Sequence, residues 1–256
     1  MTRTIDYGER GTVIVVADTE HLAQTAAELV KRTIDDARTK YPRALIALSG
    51  GSTPKRMGQI LAAEPFAESI AWIDAEFFWG DERWVPLESP ESNAGEAMRG
   101  FLDHVRVPRA QIHPFAYAGS DPDASAAEME AIVTTFGEDE TPRFSLILLG
   151  MGDDGHTASL FPHTSAIHES TRLVVSNRVD KLDTTRLTFT PKLINAAHQV
   201  TFLAGGAAKA EMLHTVLDGP IDVDRFPSQI VRPATGTLTW IVDEAAAAQL
   251  ERASHG

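Results

Sequence analysis

The chain contains no cysteine. That excludes disulfides, thiolate metal sites and every mechanism built on a cysteine nucleophile. Positive charge is also short. The 23 lysines and arginines face 36 aspartates and glutamates, for a net charge of −13. As a whole, such a chain repels nucleic acid and anionic membranes, so no nucleic-acid partner is expected. Any phosphate it holds needs local groups working against that field. No run approaches the ~18 apolar residues of a membrane span, so no membrane partner is expected either. Met1 to Arg10 is polar and lacks an apolar signal segment, which points to a cytoplasmic protein. The 9 histidines include no H-x-H or H-E-x-x-H pair, so no metal and no local zinc site are expected.

What is present is ample apolar material: 256 residues, 43% hydrophobic. One domain over residues 1–256 is expected, with no internal repeat and no low-complexity linker. Strand-like and helix-like patterns alternate. Strands are expected at Thr12–Ala17, Ala44–Leu48, Glu76–Trp79, Phe144–Leu149, Val200–Leu203 and Thr237–Val242, with shorter ones at Leu173–Ser176 and Arg186–Phe189. Helices are expected over Glu20–Lys40, Pro54–Ala63, Ala124–Phe136, Ala207–Leu217 and the alanine-rich Glu244–Leu250. Asn93 reads as the N-cap of a further helix through Leu102. Asp121–Asp123 and Gly137–Pro142 read as polar connections. The alternation predicts an α/β fold: an open, mostly parallel, Rossmann-like sheet with helices on both faces. Such sheets bind ligands beyond the carboxyl ends of their strands, and each informative motif here follows a strand.

The second strand runs into Ser49-Gly50-Gly51-Ser52-Thr53-Pro54. Two glycines allow close backbone approach, and Pro54 suits the first turn of a helix. The free N–H groups of such a helix start bind anions, although the same residues also suit an ordinary capped turn. The third strand runs into Gly80-Asp81-Glu82-Arg83-Trp84. Three adjacent charges are usually a solvated turn. Their position after a strand makes them candidates for a site.

Gly150, Gly152 and Gly155 match the dinucleotide spacing G-x-G-x-x-G. Asp153 and Asp154 would then face a pyrophosphate with like charge. Pro162 also cuts the helix that should follow. The turn suits proton transfer better. His156 is a base near neutral pH, and a nearby carboxylate can orient it. A histidine satisfied by a backbone carbonyl is the plainer alternative. Arg186 and Lys209, each near a strand end, are candidate phosphate ligands in an acidic chain, though either alone would more often be a surface charge.

Taken in order, Ser49–Pro54, Gly80–Pro86 with Ser92-Asn93, Gly150–Pro162, Arg186–Thr188 and Gly205–Ala210 resemble the 6-phosphogluconolactonases. This group is similar to a wider superfamily that includes glucosamine-6-phosphate isomerase/deaminase. The resemblance implies an open α/β sheet with a small set of added strands and no cofactor. It implies hydrolysis of 6-phospho-D-glucono-1,5-lactone, a phosphorylated sugar lactone, in the pentose phosphate pathway. By this likeness the catalytic group is His156 with Asp154, Arg83 and Asp81. Asp154 is the first choice to orient His156, with Asp81 as the alternative across the site. Arg83 is a candidate oxyanion donor. Gly50, Gly51, Ser52, Thr53, Arg186 and Lys209 would hold the phosphate. The isomerases typically carry a carboxylate where this chain has Phe161, which disfavours deamination. Monomer and weak dimer both stay open.

Overall fold

The computed structural model describes residues 2–37, 39–40, 42–117, 121–137 and 141–251. In chain order it contains β1 (Arg3–Asp6), β2 (Thr12–Val16), α1 (Thr19–Ala37), β3 (Ala44–Leu48), α2 (Ser52–Leu61), α3 (Phe66–Ser69), β4 (Ala75–Trp79) and β5 (Asp81–Arg83). Next come α4 (Asn93–Gly100), α5 (Pro122–Thr134), β6 (Leu146–Leu149), β7 (Val174–Val179) and β8 (Thr184–Phe189). The last elements are α6 (Pro191–Ala196), β9 (Gln199–Ala204), α7 (Ala210–Leu217) and β10 (Thr237–Asp243).

Seven strands form one sheet in the order β1-β2-β10-β9-β6-β3-β4. All pairs are parallel except β1, which runs antiparallel to β2 at the edge. Every residue of β3, β4 and β6 is buried, so both faces of the sheet's centre are covered. That is why these strands read as continuous apolar runs and not as alternating ones. Helix α1 buries Leu22, Ala26, Leu29, Val30 and Ile34, the stripe its spacing predicts.

The chain steps from β3 outward to β4, then returns to β6 on the other flank of β3 and continues to β9 and β10. The strand order therefore reverses between β3 and β6. At such a switch point the two adjacent loops diverge and leave a crevice. Here those loops are Ser49–Gly51 and Gly150–His156.

The added strands form a second, three-stranded antiparallel sheet, β5-β8-β7. Asp81–Arg83, expected as a charged turn, is one of its strands and pairs Asp81 with Thr188 and Arg83 with Arg186. The alanine-rich Glu244–Leu250 is not an α-helix; only a 3-10 turn forms, over Ala246–Gln249. The Asp243 carboxylate accepts from Ala246 N–H at 2.8 Å and from Gly206 N–H at 2.9 Å, which closes a turn there. The segment after β9 starts as a 3-10 turn, Ala207–Lys209, before α7. Ser92, not Asn93, caps α4 by accepting from Gly95 N–H at 2.9 Å. Asp121 is likewise the cap of α5, not part of a loop. Of the Gly137–Pro142 connection, residues 138–140 lie outside the described residues, as does Arg38 in the expected first helix.

Candidate active site

The turn after β6 is closed by its own backbone. Gly152 N–H donates to the His156 carbonyl at 2.8 Å, and Gly155 N–H donates to the Gly152 carbonyl at 3.1 Å. Gly155 sits at φ +77°, in the left-handed region that favours glycine. Gly152 is required for space. A Cβ there would lie 2.1 Å from His156 Cε1 and Nδ1. The imidazole thus lies directly over a bare backbone.

His156 Nδ1–H donates to Asp154 Oδ1 at 2.5 Å, and the His156 backbone N–H donates to the same oxygen at 3.2 Å. The second carboxylate oxygen accepts from Lys181 Nζ. Burial pushes the Asp154 carboxyl up, but hydrogen bonds from His156 and Lys181 outweigh it and hold Asp154 well below the usual carboxylate range. The His156 ring also stacks on Phe161, with centroids 4.1 Å apart and planes at 24°. Asp153, next to Asp154, pairs instead with Lys209 Nζ at 2.5 Å.

Among the described residues, no hydrogen bond joins Asp81 to His156. Its Oδ2 accepts from Ser159 Oγ at 2.7 Å, tying β5 to the segment just past the histidine. Asn93 extends the same chain of contacts. Its Nδ2 donates to the Asp81 carbonyl at 3.0 Å, and a Cβ on Gly50 would stand 1.8 Å from its Oδ1. The glycine loop after β3 is therefore seated on Asn93, and Asn93 on β5.

Arg83 and Arg186 face each other across β5 and β8. Directly opposed residues of an antiparallel pair project to the same face, so two guanidinium groups stand side by side. Arg83 Nη1 donates to the Glu91 carbonyl. Arg186 Nε is buried without a partner, and burial and then the Arg83 charge push its guanidinium below the ordinary arginine value. A buried, unpartnered donor beside a second cation is chemistry that calls for an anion.

Gly51, at φ +111°, leads into α2, and no side chain caps the helix. Its first N–H groups, with the exposed Ser52 and half-buried Thr53, are available to an anion. A cavity of about 410 Å³ opens beside this loop and is lined by Gly50, Gly51, Met57, Asn93 and Phe101. His156 does not line it. Among the described residues, no hydrogen bond joins Ser52 or Thr53 to Arg186 or Lys209. No group of acidic residues and histidines among the described residues could hold a metal ion.

The structure therefore brings His156 and Asp154 together, Arg83 and Arg186 together, and Asp81 onto the histidine segment. It gives Lys209 to Asp153. Three participants escaped the sequence reading: Lys181, Asn93 as a link between loops, and Phe161 as a shelf for the imidazole. Asn93 was expected only as a helix cap, and Ser92-Asn93 only as part of a motif. Nothing local marks Lys181, which stands 27 residues from Asp154.

The model of the glucosamine-6-phosphate isomerases/6-phosphogluconolactonase family matches residues 17–240. A 6-phosphogluconolactonase of Synechocystis sp. is 39% identical over 241 residues, covering 93% of this chain and 98% of that protein. One from Nostoc sp. is 39% identical over 242 residues, with the same 93% and 98% coverage. The solved structure of 6-phosphogluconolactonase from Trypanosoma cruzi superposes with a TM-score of 0.83 at 29% identity, covering 97% of this chain and 99% of that one. The chain belongs to the glucosamine-6-phosphate isomerase/6-phosphogluconolactonase family.

Proposed function

We propose that this chain, acting as one domain, hydrolyses 6-phospho-D-glucono-1,5-lactone to 6-phosphogluconate, with His156 as general base. The observation that carries the reading is the hydrogen bond from His156 Nδ1 to Asp154. A carboxylate on Nδ1 fixes the tautomer with the proton there and leaves the Nε2 lone pair free. Nε2 takes a proton from water as the water oxygen attacks carbon 1, and the carbonyl electrons move to oxygen. When the tetrahedral oxyanion collapses, the bond from carbon 1 to the ring oxygen breaks. The imidazolium returns its proton to that oxygen. Water and lactone become a carboxylic acid and a hydroxyl, and the histidine ends as it began.

Gly50, Gly51, Ser52 and Thr53 bind the phosphate through the start of α2. Arg186, with its unpartnered Nε, and Arg83 beside it complete the anion site. This reading moves Arg83 from oxyanion donor to phosphate ligand, since its strand neighbour is a second cation. Lys209 joins them only on leaving Asp153. Phe161, stacked on His156, cannot carry the proton that ring opening by an isomerase needs, which favours hydrolysis over deamination. The proposal includes a cytoplasmic setting. None of the described helices is long and apolar enough to cross a membrane.

The test is lactone hydrolysis by His156→Ala, measured on freshly generated lactone and corrected for spontaneous opening. Loss of the general base should lower catalysis by about 10²–10⁴-fold with the fold intact. Near-normal turnover in the folded variant removes His156 from the mechanism.

A further inference from the structure

Lys181 stands on the tight connection between β7 and β8. A 3-10 turn over Asp180–Leu182 ends there at Asp183, in the left-handed region at φ 48°. From this tip Nζ reaches Asp154 Oδ2, while His156 Nδ1–H occupies Oδ1 at 2.5 Å. The same ammonium lies 5.7 Å from the centroid of Phe161, the ring on which His156 stacks. One side chain from a separate sheet thus touches both supports of the imidazole. The acids nearest to Lys181 in sequence, Asp180 and Asp183, are both bound by Arg178. Asp154 is what remains for it.

Resting on the proposed role of His156, we propose that Lys181 is a positioning residue for that base. Its ammonium steadies the Asp154 carboxylate from the far side and shares its charge, which weakens the pull of that carboxylate on the imidazole proton while the hydrogen bond to Nδ1 is kept. A carboxylate alone beside an imidazole favours the imidazolium, which cannot act as a base. A cation on the same carboxylate offsets that pull while keeping the hydrogen bond that orients the ring.

Among the described residues, charged groups meet at the pair and its turn from three elements. Asp153 and Asp154 come from its own turn, Lys181 from the β7–β8 connection and Lys209 from the segment after β9. Each acid holds one lysine. The other contacts are neutral: Phe161 against the ring, Met212 and Phe226 against Gly155, and the Ser228 hydroxyl on the Gly155 carbonyl. Removing the Lys181 ammonium leaves Asp154 Oδ2 without its cation while His156 stays on Oδ1.

The experiment uses Lys181→Met, which keeps the stem over Phe161 but not the charge, and Lys181→Arg, which restores the charge. The imidazole of His156 is titrated by NMR in the free protein. The pH profile of kcat/KM is recorded in parallel, because it reports ionisations of the free enzyme. In Lys181→Met the His156 midpoint should rise by about 0.5–1 pH unit relative to the wild type, after allowance for solvent screening. The acid limb of kcat/KM should move with it, so that the loss is several-fold greater at about pH 6 than at about pH 8. Lys181→Arg should follow the wild type in both. An unmoved midpoint in Lys181→Met overturns the proposal. So does a higher KM with an unmoved midpoint, which would make Lys181 a substrate ligand. If no lactone is hydrolysed at all, the proposed function fails. The NMR midpoint still reads the effect of Lys181 on His156.

Discussion

Two acidic segments leave the strands on either side of β3, and they use their carboxylates in opposite ways. Asp153–His156 is a turn, where neighbouring side chains can gather on one ligand. Asp154 holds His156 and Lys181 together and stays an anion. Asp81–Arg83 is a strand, where neighbours point to opposite faces. Asp81 and Arg83 face the Ser159 and Arg186 side, whereas Glu82 turns away and is buried. Glu82 accepts from Arg83 N–H, Asn93 N–H and Ala94 N–H at 2.8 Å each, and from Ser92 Oγ at 3.0 Å. It locks the start of α4 to β5. The difference teaches that a cluster of charges in sequence is not one unit until the backbone period is known.

The sharpest way to break this contrast is to disturb the turn without touching a charge. Gly152→Ala puts a methyl group where the imidazole now lies, 2.1 Å from its nearest atoms. The ring must swing off Asp154. A displacement near 1 Å at a reacting group can cost about 10²-fold. We expect kcat to fall by that order while the melting temperature changes little, measured by lactone hydrolysis and thermal unfolding. Full activity would mean that this His156 geometry is not the working one.

Asp154→Asn and Glu82→Gln compare the two segments in stability. Asp154 is held below its ordinary value of 3.8, so its contribution is complete above that value and is lost as pH falls through the folded value. The stability gap between wild type and Asp154→Asn should therefore shrink on acidification below about pH 4. Glu82 is raised, chiefly by burial, so its contribution is complete below its ordinary 4.5 and declines as pH rises through the folded value. The gap for Glu82→Gln should grow on acidification. Its size near neutrality is about 1–3 kcal/mol, because an amide nitrogen cannot accept the N–H groups that a carboxylate oxygen does. Denaturant titrations across pH measure both gaps. Slopes of the same sign would break the comparison.

The same contrast explains what could be read from the sequence. β3, β4 and β6 were legible because buried parallel strands are unbroken apolar runs. Asp154 and His156 were legible because only one residue separates them, within reach on one turn. The pairing of Arg83 with Arg186 was not, since it depends on the register of β5 with β8. Charged Asp81–Arg83 carries no strand signal, so Glu82 could not be separated from its neighbours. The edge strand β1, four residues long and polar, was invisible for the same reason. Glu244–Leu250 misled through alanine propensity. Seven residues barely repay helix nucleation, and Asp243 offers the backbone a competing turn.

Phe161 gives the mildest test of the turn. Its stacking on His156 is a contact between neutral rings, while Asp154 supplies the orienting hydrogen bond. Phe161→Leu keeps an apolar surface under the imidazole but removes the flat face. Such ring pairs are worth about 0.5–1.5 kcal/mol beyond burial, which corresponds to roughly 2–10-fold. We expect kcat/KM to fall within that range and KM to stay near the wild-type value, because the substrate phosphate is held elsewhere. A loss as large as that of Gly152→Ala would mean that stacking, more than the carboxylate, orients the base. The turn would then resemble the strand in depending on packing more than on charge.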